Sequence, residues 1–237
     1  MQDTQTQSQP VQTELQIQSN GYPGPDQEEM IYKQARGFMY SRPKVCVLPN
    51  FLSHQECDHM MELANRMLCP STVIDPTTGH NVPNKDRSSH NACFYRGQDE
   101  VISQIEQRIA NVTMLPVEYG EGLQVLRYEV GQEYKPHFDY FDPTLSGSKQ
   151  PLDEGGQRVA TMLMYLSAPE EGGETTFPDI GLSVAPVKGN AILFWSVLPN
   201  LQVDPLSKHG SAPVKSGVKW TMTKWIRQGP WEPKARY

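Results

Sequence analysis

The chain has 237 residues, a formal charge of −6, 37% hydrophobic residues and a mean hydropathy of −0.57. That length suits one domain with a full core, and the acidic balance argues against nucleic acid as a partner, which leaves a basic footprint. No run is long and apolar enough to span a membrane and no basic-then-apolar start marks a signal peptide. The chain as written therefore reads as cytoplasmic, or as a secretory-pathway protein if an upstream segment is missing.

Residues 1–29 are rich in Gln, Thr, Ser, Pro and Gly without apolar periodicity. Such a segment buries too little surface to offset its ordering entropy, so a disordered polar tail is expected there, with one domain over 30–237. Val45 to Leu48 reads as a short strand. Ser53-His54-Gln55-Glu56 is a capping box, followed by Cys57, Met60, Met61 and Ala64 at helical spacing, which predicts an amphipathic helix of about 15 residues. Strands are expected over Ser71–Asp75 and Arg87–Tyr95, with a turn at Asp75–Gly79 between them. Val101, Ile102, Ile105 and Ile109 share one face of a second helix over Asp99–Val112.

From Gly122 the pattern changes to short strands: Leu123–Tyr128, Tyr134–Tyr140, Arg158–Ser167, Glu174–Phe177, Leu182–Ala185, Ala191–Ser196 and Val218–Arg227. Glycines punctuate them at Gly131, Gly155-Gly156, Gly172-Gly173, Gly189 and Gly217, a spacing that suits a sandwich or jelly roll. The expected class is α+β, a double-stranded β-helix (jelly-roll) core with N-terminal helices packed on one sheet. Cys46, Cys57, Cys69 and Cys93 form no C-x-x-C pair, which disfavours a zinc ribbon and leaves buried thiols or disulfides open.

The chemistry centres on Tyr134-Lys135-Pro136-His137-Phe138-Asp139-Tyr140. On an extended strand His137 and Asp139 point to the same face, an imidazole beside a carboxylate. These are two members of the 2-His-1-carboxylate set that leaves open positions on a non-haem Fe(II). Of six histidines, His54 and His59 fall on the first helix and His80 and His90 in the turn-rich early region. Only His209 follows His137 in the strand-rich half. Ten residues later Lys219 lies in Gly217-Val218-Lys219-Trp220-Thr221, among apolar and aromatic neighbours. An inward ammonium there needs a counter-charge. A dicarboxylic keto acid supplies one, chelating the metal at one end and meeting Lys219 at the other.

His137-x-Asp139, His209 and Lys219 resemble the iron and 2-oxoglutarate signature of the prolyl 4-hydroxylases of plants, algae and collagen-modifying systems. Glu121 to Tyr128, Gly155-Gly156-Gln157-Arg158, Met162 to Leu166, Glu171 to Thr175 and Lys224-Trp225-Ile226 resemble the same family, over roughly residues 42–227. Ser211-Ala212-Pro213 stands where many members carry a Cys before the Pro. The resemblance implies Fe(II) on His137, Asp139 and His209, with 2-oxoglutarate held by Lys219, Tyr128 and Thr175. O2 and L-ascorbate complete the implied set. It also implies a proline-rich peptide substrate, hydroxylated at C4 of proline with decarboxylation of 2-oxoglutarate to succinate. Tyr134, Arg158 and Trp225, and then Arg87, Ser89 and Glu121, are the implied peptide contacts, with Arg158 expected to face the groove rather than a structural ion pair. Two other readings stay open: the same chemistry on free proline or another side chain, and an inactive jelly-roll binding module.

Overall fold

The computed structural model describes residues 39–232. In chain order the strands are β1 (Met39–Ser41), β2 (Lys44–Leu48), β3 (Cys69–Pro70), β4 (Thr72–Ile74), β5 (Asn81–Pro83), β6 (His90–Phe94), β7 (Leu123–Tyr128) and β8 (Tyr134–His137). They continue as β9 (Arg158–Ser167), β10 (Glu171–Gly172), β11 (Thr175–Phe177), β12 (Leu182–Val184), β13 (Ala191–Trp195), β14 (His209–Ser211), β15 (Val214–Ser216) and β16 (Lys219–Arg227). Helices α1 (His54–Asn65) and α2 (Glu100–Thr113) fall between β2 and β7, and a short α3 (Lys149–Asp153) follows β8.

Eight strands form the major sheet in the order β1-β2-β13-β9-β16-β7-β6-β3, and four form the minor sheet in the order β12-β11-β14-β8. Period-two alternation gives each major-sheet strand two different faces. Leu123 and Val125 of β7, Met162 and Met164 of β9, and Met222 of β16 join the large core cluster with Cys57, Met60 and Ala64 of α1 and Ile102, Ile105 and Ile109 of α2. The intervening residues face the minor sheet, where Tyr165, Ile192 and Phe194 pack with Phe177 of β11. This is the expected jelly-roll arrangement, with the two longer helices on the outside of one sheet.

Both helices start where their caps dictate. The Ser53 and Glu56 side chains satisfy each other's backbone N–H groups, and the Asp99 carboxylate accepts from the Ile102 N–H at 2.7 Å. Arg108 of α2 donates to both oxygens of Glu56, tying the helices together. Deeper still, Glu106 of α2 pairs with Lys224 of β16, both almost wholly buried.

The structure departs from the sequence expectation where strands are short or cross-paired. The strand expected over Tyr134–Tyr140 ends at His137, so Asp139 lies in the bend beyond it. The strand expected from Arg87 begins at His90, and β3, β5, β10, β14 and β15 carry too few residues for a visible alternation. All four cysteines are free thiols, Cys46 and Cys57 buried, Cys69 and Cys93 exposed. The polar tail expected over residues 1–29 lies outside the described residues. Among the described residues no helix is long and apolar enough to cross a membrane.

Candidate metal centre and its groove

Strand pairing brings the two histidines together: His209 of β14 lies opposite His137 of β8 in the minor sheet. The register shifts between His209 and Ser211, and Gly210 makes that close passage possible. A Cβ at Gly210 would stand 2.8 Å from the Tyr134 carbonyl oxygen, where no side chain fits. Asp139 then folds back beside both rings. Its Oδ1 is 3.6 Å from His137 Nε2 and its Oδ2 is 3.5 Å from His209 Nε2. One ligand atom from each of the three residues lies within 4.8 Å of the others.

The surroundings fix the chemical state of these ligands. His137 Nδ1 sits 2.9 Å from the Lys135 carbonyl oxygen and His209 Nδ1 sits 3.0 Å from that of Ser207. A carbonyl only accepts, so each Nδ1 carries a proton and donates it, and Nε2 is the ring nitrogen turned toward Asp139. Burial pushes His209 down to about 4, which keeps the ring neutral at neutral pH. Burial alone would raise Asp139, but the neighbouring His209 and His137 outweigh it and hold the carboxyl well below the usual carboxylate range. Thr161 of β9 donates to Asp139 Oδ2 at 2.7 Å, orienting the carboxylate from the major sheet. Two imidazoles and one carboxylate converging on one point suit a divalent first-row metal.

The same narrow cavity that the trio lines extends to Tyr128, Thr175, Ser211 and Lys219. Lys219 is 1% exposed, and burial pulls its ammonium down to about 7, with Glu174 opposing only weakly. Among the described residues no carboxylate forms an ion pair with it. Its Nζ donates to Ser211 Oγ at 2.8 Å and lies 5.2 Å from the Tyr128 ring centroid. Thr175 faces Ser211 across the minor sheet and accepts from the Tyr165 hydroxyl at 2.7 Å, which leaves its own proton free to donate. A cavity with metal-type donors at one end and an unpaired buried ammonium at the other is complementary to a dicarboxylate that chelates through one end.

A wider groove of about 690 Å³ opens on the other side of His137 and Asp139. Arg87, Tyr134, Arg158 and Trp225 line it. Tyr134 stacks on His137 with ring centroids 3.5 Å apart, and the Arg87 guanidinium lies 4.8 Å from the Tyr134 centroid. Two buried donors of residues in this wall, Arg87 Nε and Trp225 Nε1, have no hydrogen-bond partner among the described residues. Arg158 departs from the expectation: besides lining the groove it forms a two-pronged ion pair with Glu121, at 2.6 and 2.9 Å, and lies 3.8 Å over the Trp225 ring. Arg227 shares the same carboxylate at 3.0 Å. Glu121 therefore braces Arg158 from behind and does not line the groove, while Ser89 is buried against Ser71 at 2.9 Å. Sequence does not single out Thr161 or Tyr165, and it marks Ser211 only as part of a departure from the family pattern. Their only signal was parity, since Thr161 and Tyr165 alternate with the helix-facing Met162 and Met164.

Comparison with known proteins agrees with this geometry. The family model of the 2OG-Fe(II) oxygenase superfamily matches residues 123–227, the span that holds His137, Asp139, His209 and Lys219. Probable prolyl 4-hydroxylase 3 of Arabidopsis thaliana is 44% identical over 209 residues, 80% of this chain and 71% of its own length. Prolyl 4-hydroxylase 5 of the same plant is 44% identical over 208 residues, covering 78% of this chain and 68% of its own. The viral collagen prolyl hydroxylase of Paramecium bursaria Chlorella virus-1, solved as a 2OG complex, matches with a TM-score of 0.60 at 31% identity, over 77% of this chain and 95% of that one. A jelly roll carrying a His-Asp-His trio beside a buried lysine thus falls in a class of iron- and 2-oxoglutarate-dependent dioxygenases, whose reagents are Fe(II), 2-oxoglutarate and O2. Within that class, the chain belongs to the prolyl 4-hydroxylase family.

Proposed function

We propose that this protein hydroxylates C4 of proline residues in proline-rich peptides or proteins, with decarboxylation of 2-oxoglutarate to succinate. The observation that carries the reading is the shared cavity, with His137, Asp139 and His209 at one end and the unpaired Lys219 at the other. In this reading His137, Asp139 and His209 hold Fe(II), and Lys219 receives the distal carboxylate of 2-oxoglutarate, assisted by the hydroxyls of Tyr128 and Thr175. Bound there, iron, 2-oxoglutarate and O2 supply the oxidising power for C–H hydroxylation, and L-ascorbate restores enzyme oxidised in uncoupled turnover.

The chain's own residues do the positioning. The carbonyl oxygens of Lys135 and Ser207 lock both imidazoles in the tautomer that presents Nε2. Thr161 aims Asp139. A proline-rich peptide in the polyproline II conformation has carbonyls free of internal hydrogen bonds, which side-chain donors along a groove can meet, and Arg87 and Trp225 line this one. Tyr134, stacked on His137, gives a flat wall against which a prolyl ring lies beside the metal. Arg158 adds a second side to the same groove, held by Glu121.

The test is incubation of a proline-rich peptide with the protein, Fe(II), 2-oxoglutarate and ascorbate. The expected result is a +16 Da peptide containing 4-hydroxyproline and one succinate per hydroxylation. Succinate without peptide oxidation would move the substrate assignment to another side chain, and neither product would overturn the reading.

A further inference from the structure

The polar N-terminal segment carries a motif that neither the fold nor the metal centre uses. In Tyr22-Pro23-Gly24-Pro25 two prolines flank one glycine, and Asp26, Glu28 and Glu29 follow. These positions lie outside the described residues, but their chemistry is legible in the sequence. Proline has no backbone N–H, so this run has few donors to satisfy its own carbonyls. Tyr22 and Gly24 each precede a proline, which biases them to extended or polyproline II backbone. The substrate chemistry proposed for the groove is therefore present in the same chain.

The chain enters the major sheet level with the metal centre. Tyr40 of β1 lies opposite Val45 of β2, and Val45 opposite Phe194 of β13. Phe194 lies opposite Thr161 of β9, and Thr161 opposite Trp225 of β16. Thr161 donates to Asp139, and Trp225 lines the groove. One row across the sheet thus joins the chain's entry point to the groove. Its four inter-strand spacings amount to about 19 Å. Met39 follows Pro25 by fourteen residues. A chain of that length reaches up to about 48 Å, more than twice the direct span, which leaves room for a path around the minor sheet.

Charge favours the same occupant. Arg87 lies in the groove wall, where it donates to the Thr72 carbonyl and the Gln124 side chain. Lys208 lies 5.9 Å from the ring of Phe138, another lining residue. Among the described residues neither cation pairs with a carboxylate, and Asp26, Glu28 and Glu29 bring three. A tether also holds its motif at an effective concentration on the order of millimolar, so weak contacts suffice for occupancy.

We propose that the protein is its own substrate: the groove takes the Pro-Gly-Pro run of the same molecule, and Pro23 or Pro25 is hydroxylated at C4. This rests on the reading of the site as a proline hydroxylase. One atom of O2 enters the C4–H bond as a hydroxyl, and the other enters succinate as 2-oxoglutarate loses CO2. While it occupies the groove, the tethered run competes with peptides from solution.

The experiment is incubation of the full chain with Fe(II), 2-oxoglutarate and ascorbate, with and without a proline-rich peptide, followed by mass analysis of the protein. Without peptide the protein should gain 16 Da, placed by fragmentation on Pro23 or Pro25. The rate should be first-order and unchanged across a roughly tenfold range of protein concentration, as an intramolecular step requires. In Pro23→Ala/Pro25→Ala the gain should vanish while added peptide is still hydroxylated. Fluorescence anisotropy of a labelled proline-rich peptide, titrated anaerobically, gives a readout independent of turnover: the double variant should bind it roughly threefold or more tightly. Equal affinity in the two proteins overturns the competition, and a rate proportional to protein concentration overturns the intramolecular docking. Unmodified Pro23 and Pro25 in a protein that hydroxylates the added peptide overturn self-hydroxylation and leave the proposed function standing. Absence of hydroxyproline in both protein and peptide removes both together.

Discussion

Replacing Lys219 by methionine separates the demands of folding from those of the proposed cosubstrate. The side chain is 1% exposed, and burial pulls its pKa from 10.5 to about 7. At about 1.4 kcal/mol per pH unit, the charged form costs the empty fold on the order of 5 kcal/mol. The sign follows from linkage. Below pH 7 both folded and unfolded chains hold the proton and the full cost applies. Between pH 7 and 10.5 the unfolded chain binds more protons, so stability from this group rises with pH, and above 10.5 the cost is gone. Lys219→Met keeps the length of the side chain and removes the charge, so at pH 6.5 the ligand-free protein should gain roughly 1–4 kcal/mol, as buried charges replaced by packed apolar groups do. The same change strips the distal carboxylate of its partner, at about 3–5 kcal/mol, which is roughly two to three and a half orders of magnitude in 2-oxoglutarate affinity. Urea unfolding of the ligand-free protein and calorimetric titration of 2-oxoglutarate into the anaerobic Fe(II)-loaded protein measure the two effects. A variant that is less stable, with unaltered 2-oxoglutarate affinity, would refute the argument and make Lys219 a structural residue.

Other perturbations test other parts of the site. Asp139→Ala removes the carboxylate to which both His Nε2 atoms point, and should abolish Fe(II) binding and turnover; retained turnover contradicts the ligand set. Thr161→Val removes only the hydroxyl that aims Asp139, and metal titration should show affinity lowered roughly 10- to 100-fold with the fold intact. Glu106→Gln leaves Lys224 buried without its counter-charge and should cost about 3–5 kcal/mol in chemical denaturation, far from the metal. A loss under about 1 kcal/mol would mean that water reaches that pair.

What the sequence disclosed and what it withheld have the same physical root. His137, Asp139, His209 and Lys219 were legible because metal and dicarboxylate chemistry restricts which residue types can serve, so a few side chains at the right spacing stand out. The helices were legible from Ser53, Asp99 and their apolar stripes, since caps and periodicity act within a few residues. Pairings across sequence were not. Thr161 reaches Asp139 over 22 residues and Tyr165 meets Thr175 between two sheets, and no local pattern marks either contact. Asp139 was placed on a strand because His-x-Asp alternates, whereas β8 ends at His137 and the carboxylate arrives through a bend. Arg158 was read as a groove residue alone, but Glu121, 37 residues earlier, and Trp225 hold it from two sides. The resemblance groups Ser89 and Glu121 with the groove; Ser89 is buried against Ser71, and Glu121 lines an adjoining cavity that shares Trp225 with the groove.

The central claim is that the cavity between the His-Asp-His trio and Lys219 couples 2-oxoglutarate to oxidation of a peptidyl proline. It is tested most directly by anaerobic loading with Fe(II), 2-oxoglutarate and a proline-rich peptide, followed by a pulse of 18O2 and mass analysis of peptide and succinate. The account predicts one labelled oxygen at C4 of a proline and one in succinate, in equal amounts. Unlabelled peptide with labelled succinate would contradict it.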